Sequence, residues 1–165
     1  MLRACARFRL RHVEGPHGYG RCGRLGSQPS QGAPFLLIDS DVVIGFLRGR
    51  APAREAISKQ HPVRISTVTY MEVAQGVRNR QELQLFRWTV RTYGWRILPL
   101  TEEIGSRAIS YVEEYALSHG MRMGDALVAA SAVVSGLGLL TGNVRHYRFL
   151  PGLALERYDP AGRSV

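Results

Sequence analysis

FLLIDSDVVIGFLRG (residues 35–49) changes its hydrophobic period in the middle. FLLI (35–38) is a short, continuously apolar run that stops at Asp39, the pattern of a parallel strand buried on both faces. DVVIGFLRG (41–49) then has the 3.6-residue spacing of a helix and ends at Gly49. A buried strand passing at once into a helix is half of a strand–helix–strand unit, and the chain repeats it downstream.

Pro52 suits the first turn of a helix over 51–60. VRIS (63–66) reads as a second strand, followed by helices over 67–77 and 81–93; the latter carries Leu83, Phe86 and Val90 on one face. RILPL (96–100) is a third strand. Thr101 then caps a helix whose Glu102 and Glu103 suit its positive end, and which stops at Gly120. GDALVAASAVVSG (124–136) is apolar or small nearly all round, as a buried helix is. LGLLT (137–141) and LALERY (153–158) complete the strands. Strands alternating with helices predict an α/β fold: a three-layer α/β/α sandwich with a central parallel sheet.

The chain has 165 residues, 45% hydrophobic and 21% charged, with a formal net charge of +9. One domain over 35–158 is expected, with a short tail over 159–165. Collagen, coiled-coil and disordered classes do not fit the apolar content and lack of a repeat. No apolar stretch is long enough to span a bilayer, so no membrane partner is expected. Cys5 and Cys22 make neither a disulfide framework nor a zinc site, and both precede the body. Residues 1–34 hold six Arg, one acid and many Gly, Pro and Ser, and read as a loose basic leader. Three origins are open for it: a start placed too far upstream, a basic tail touching nucleic acid, or a targeting peptide. The remainder is only mildly basic, which permits a polyanionic partner without demanding one.

In such sandwiches ligands bind beyond the carboxyl ends of the strands. Asp39 and Asp41 follow the first strand, Glu72 lies one turn into the helix after the second, Asp125 opens the buried helix, and Asn143 follows the fourth strand. Carboxylates gathered at one rim repel: two at about 4 Å in an effective dielectric of about 20 cost about 4 kcal/mol. A raised pKa or a bound divalent cation relieves this. Oxygen ligands without His or Cys favour Mg2+ or Mn2+.

Each residue also has a plainer reading. Asp39-Ser40-Asp41 makes a turn and a helix cap, with Asp41 more a cap or supporting group than a direct ligand. Thr69 and Glu72 fit a Thr-x-x-Glu capping box. Asp125 caps its helix, and Asn143 is a turn residue suited to a left-handed backbone. His119 and His146 are lone and read as structural or surface residues, Glu113 and Glu114 as a solvated face.

FLLIDSDVVIGFLRG, ISTVTYMEVAQGV, HGMRMGDALVAASA and LLTGNVRHYRFLPGLALERY, in that order, resemble the VapC-type PIN-domain toxins of prokaryotic toxin–antitoxin pairs. The resemblance covers essentially the whole body. It implies a metal-dependent endoribonuclease with an α/β/α PIN fold, acting in the cytoplasm, pairing as a homodimer and held inactive by a cognate antitoxin. The family's acids fall on Asp39, Glu72 and Asp125, and its fourth position on Asn143. In that reading Asp39 and Asp125 hold Mg2+, with Mn2+ as a substitute, and Asn143 helps to orient it. Glu72 positions or deprotonates the attacking water. Thr141 orders the site through its hydroxyl, and Arg145 and Arg148 hold the RNA backbone. Asn143 is neutral where some relatives carry a charge, and residues 1–34 have no counterpart in the usual pattern.

Rival classes are a haloacid-dehalogenase-type phosphohydrolase, which Asp39-Ser40-Asp41 imitates, and a receiver-like signalling module. Both need a Lys near the late strands, and Lys59, the only lysine, lies early. A PIN-like body that binds RNA or protein without cutting is a third. Three unpaired acids gathered without a metal would cost such a body stability.

Overall fold

A computed structural model describes residues 35–161; the readings made on residues 1–34 and 162–165 lie outside the described residues. The elements run β1 (Leu36–Ile38), α1 (Ser40–Leu47), α2 (Ala51–Ser58), β2 (Arg64–Ser66), α3 (Thr67–Gly76), α4 (Arg80–Thr92), β3 (Arg96–Leu98), α5 (Glu102–His119), α6 (Met123–Val134), β4 (Gly138–Thr141) and β5 (Leu155–Arg157). The strands form one sheet in the order β3-β2-β1-β4-β5, and every neighbouring pair is parallel.

Side chains of a strand alternate between its two faces, and here each face feeds its own core. Leu36 and Ile38 of β1, Ile65 of β2 and Leu140 of β4 pack with Val42, Val43, Ala53, Ile57, Val73, Phe86 and Val90 from α1 to α4. Leu37 and Leu139 point the other way, into Ile104, Ala108 and Tyr111 of α5 and the alanines of α6. These two cores are the expected three layers. The all-round apolar reading of α6 is matched by burial of Ala126, Val128, Ala129, Ala130, Ser131 and Ala132. Small side chains there let α5 approach closely.

The expected ends shift by a few residues. The third strand stops at Leu98 rather than residue 100, because Pro99 has no N–H to give a ladder. The fifth is shorter than 153–158. No helix among the described residues is long and apolar enough to cross a membrane.

The order of the strands places the site. From β1 the chain builds outward through β2 to β3, then crosses back over the sheet to add β4 on the other side of β1. The carboxyl ends of β1 and β4 therefore flank the point where the winding reverses, and a crevice opens there.

Candidate active site

Asp39 leaves β1 at that crevice. Its Oδ1 accepts the Ser40 N–H at 2.7 Å, which makes it the N-cap of α1. Its Oδ2 accepts the Thr141 hydroxyl from the end of β4 at 2.7 Å and the Tyr147 hydroxyl at 3.3 Å. The side chain is buried. Burial pushes its carboxyl above the usual carboxylate range, the three hydrogen bonds pull it back, and Asp125 adds a smaller upward push.

Asp125 lies in the first turn of α6. Its Oδ1 accepts the Tyr147 hydroxyl at 3.4 Å, and its Oδ2 lies 3.4 Å from His146 Nδ1. The cap reading of Asp125 is overturned: the N-cap is Arg122, with no side-chain cap bond. Asp125 sits too far into the helix to cap it and faces the other acids instead.

Glu72 stands on α3, half-buried. Burial raises its pKa first; Asp39 and Asp125 raise it further, and the Ser40 hydroxyl beside it works the other way. The Thr69–Glu72 capping box is also overturned. The N-cap of α3 is Ser66, whose hydroxyl accepts the Thr69 N–H at 2.9 Å, so Glu72 is mid-helix and owes no bond to the backbone end. Space for it comes from Gly124: a Cβ there would lie 2.7 Å from Glu72 Oε1. A second glycine does the same for Asp41. Asp41 Oδ2 accepts the Gly142 N–H at 2.8 Å, and a Cβ on Gly142 would fall 2.6 Å from that oxygen. Asp41 Oδ1 is buried with no hydrogen-bond partner, and burial together with Asp39 lifts its pKa to about 6. Asp41 is thus a supporting acid that ties α1 to the turn after β4.

Three acids from β1, α3 and α6 therefore share one rim, close enough to shift or share partners with one another. Asn143 joins them through its backbone, its N–H donating to Thr141 Oγ1 at 3.0 Å; its side chain is exposed. Its φ of −94° overturns the left-handed turn reading. Arg145 and Arg148 are exposed on the segment that follows. Lys59 is exposed at the end of α2, paired with Glu55, and brings no cation to the acids.

Tyr147 and His146 were missed from sequence. An aromatic after a strand reads as core, and Tyr147 is core by burial; only its hydroxyl, carried across the fold, reaches the acids. His146 read as a lone structural or surface residue, yet it lies beside Asp125. His119 is exposed as expected and stacks on Phe149.

Among the described residues no three of His, Cys, Asp and Glu close into a preformed metal cage. The donors present are carboxylates that no Lys or Arg pairs with among the described residues, and the neighbouring Asp41 has a buried oxygen lacking a donor. That chemistry fits a hard divalent cation, which takes one or two carboxylates and keeps several waters. A groove bounded by Ile44, Leu47 and Leu85 and another by Leu98, Ile104 and Val134 include none of these acids.

The family model described as PIN domain matches residues 36–149. Ribonuclease VapC10 of Mycobacterium tuberculosis is 37% identical over 117 residues, covering 68% of this chain and 86% of the relative. Ribonuclease VapC19 of the same organism is 32% identical over 122 residues, covering 71% and 95%. Among solved structures, a toxin–antitoxin complex from Klebsiella pneumoniae superposes with a TM-score of 0.62 at 26% identity, covering 76% of this chain and 97% of that one.

Proposed function

The chain belongs to the PIN-domain family, and on that premise we propose that it is the toxin of a toxin–antitoxin pair, an endoribonuclease that hydrolyses RNA with the help of a divalent cation. The observation that carries the reading is the convergence of Asp39, Glu72 and Asp125 at the β1/β4 crevice, where Asp39 and Asp125 each raise the pKa of Glu72. Two relatives are named ribonucleases, and one structural neighbour is a toxin–antitoxin complex.

Asp39 and Asp125 would hold Mg2+, or Mn2+ in its place. Bound there, such an ion would supply Lewis acidity toward a phosphoryl oxygen and a nearby water. Glu72 orients the attacking water in line with the scissile bond and takes its proton, a role suited by a carboxyl whose proton affinity is raised. The bond from water oxygen to phosphorus forms as the bond to the 3′-oxygen breaks, leaving a 5′-phosphate and a 3′-hydroxyl protonated from solvent. Thr141 holds Asp39 in place. Arg145 and Arg148 steady the RNA backbone, with Asn143 at the edge of the metal pocket. A cognate antitoxin binds and silences the enzyme, the toxin pairs as a homodimer, and it acts in the cytoplasm.

RNA incubated with the purified protein should be cut in Mg2+ or Mn2+ and spared in chelator. Asp39→Ala and Asp125→Ala should each abolish cutting; Asp125→Ala should keep thermal stability near the parent's, whereas Asp39→Ala also loses the side-chain cap of α1, at a cost of about 0.5–2 kcal/mol. A fully active Asp125→Ala protein would contradict the assignment.

A further inference from the structure

Among the described residues, the Tyr147 hydroxyl is the one group hydrogen-bonded to both Asp39 and Asp125, at 3.3 and 3.4 Å. A phenol has a single hydrogen, so two nearly equal distances mean that the two carboxylates share it. The ring cannot swing away to favour either. It is 2% exposed and packed among α5 and α6 side chains, with Leu37 and Leu139 beneath. Its backbone is pinned as well, the Tyr147 N–H bonding to Val144 O at 3.1 Å and the Leu150 N–H to Tyr147 O at 2.9 Å. His146, the preceding residue, lies against the other oxygen of Asp125. Two consecutive residues of one tight turn therefore address both oxygens of that carboxylate.

We propose that Tyr147 is a positioning residue of the nuclease site: its hydroxyl, lodged between Asp39 and Asp125, fixes the spacing and orientation in which the pair meets a divalent cation. This rests on the reading of those two acids as the metal-holding pair. Hydrogen bonds of this kind orient ligating groups before the ion arrives, and losing one commonly weakens metal binding about 10- to 100-fold. A tyrosine that served only to fill the core would use its ring alone, and its oxygen could be removed without consequence for the ion.

Tyr147→Phe removes that oxygen and keeps the ring. Mn2+ alone is titrated by calorimetry into the metal-free full-length chain, its Tyr147→Phe variant and a Tyr158→Phe control. Tyr158 is another buried tyrosine, and among the described residues its hydroxyl is not hydrogen-bonded to Asp39, Glu72 or Asp125. The Mn2+ dissociation constant should rise about tenfold or more in Tyr147→Phe and stay at the parental value in Tyr158→Phe. Cleavage of RNA by Tyr147→Phe at subsaturating Mn2+ should lose kcat with KM unchanged, and its melting temperature without metal should stay near the parent's. Parental Mn2+ affinity in Tyr147→Phe would overturn the proposal while leaving a metal-dependent nuclease intact. A parent that binds Mn2+ but cuts no RNA would overturn the nuclease reading, and the comparison of affinities would still decide on Tyr147. A parent that takes no Mn2+ overturns both.

Discussion

Thr141, the last residue of β4, donates its hydroxyl hydrogen at 2.7 Å to Asp39, the residue that follows β1. The two are neighbours because β1 and β4 pair in register, Ile38 beside Leu140. The same hydroxyl oxygen accepts the Asn143 N–H at 3.0 Å, so one buried group ties the acid to the turn that follows it. Removing it leaves the buried Asp39 Oδ2 with only the longer Tyr147 bond and strands the Asn143 N–H. Thr141→Val should therefore cost about 1–3 kcal/mol of stability in the metal-free protein, read by urea unfolding. A variant as stable as the parent would show that the bond carries nothing.

Asp41 sets a pH dependence. Its pKa is lifted from 3.8 to about 6 in the folded protein. Between those values the folded state holds the proton more tightly than the unfolded state, so this group's contribution to stability is full below about 4 and lost as pH rises through 6. Asp41→Asn removes the titration. Melting of parent and variant in chelator from pH 4.5 to 7.5 should show the variant gaining on the parent as pH rises. A difference independent of pH would refute the assignment.

Gly124 makes a prediction in which stability and activity part. Alanine is the better helix former by about 1 kcal/mol, so Gly124→Ala should leave α6 as stable or more so. Its Cβ would enter the space of the Glu72 carboxylate, 2.7 Å from Oε1, and push it out of line. If Glu72 is the base, RNA cleavage should fall by up to the roughly 100- to 10,000-fold that general-base catalysis contributes. Parental cleavage rates with an unchanged fold would place the working geometry of Glu72 elsewhere.

Arg145 and Arg148 are exposed and make no ion pair among the described residues. As phosphate contacts, each should on substitution by Ala weaken RNA binding for all sequences alike and lower the slope of log affinity against log salt by about 1. Filter binding to RNA with the inactive Asp125→Ala background would measure it. A variant that changes sequence preference without changing the slope would point to base contact instead.

Much of the fold can be read directly from the chain. FLLI and LGLLT are apolar without alternation, as a sheet covered on both faces accommodates, while VRIS alternates; all three became parallel strands. Asp39, Glu72 and Asp125 stood out because each followed a strand or opened a helix, positions that a parallel sandwich delivers to one rim. The helix-end readings of Glu72 and Asp125 failed for a shared reason. Capping patterns look a few residues along the chain, whereas Ser66 and Arg122 already occupied those ends and left both acids to face inward.

Sequence by itself determined the layers, because the period of burial is a local property of side chains on a helix or strand. It also determined which acids were candidates. Tertiary structure alone decided that a buried phenol from residue 147 would reach both Asp39 and Asp125, that His146 would lie beside Asp125, and that Gly124 and Gly142 would clear room for Glu72 and Asp41. Those relationships join segments tens of residues apart, and they exist only because the chain crosses back over the sheet to set β4 beside β1. A hydrogen bond needs two groups within a few tenths of an ångström of their place, and no pattern along one strand or helix carries that distance.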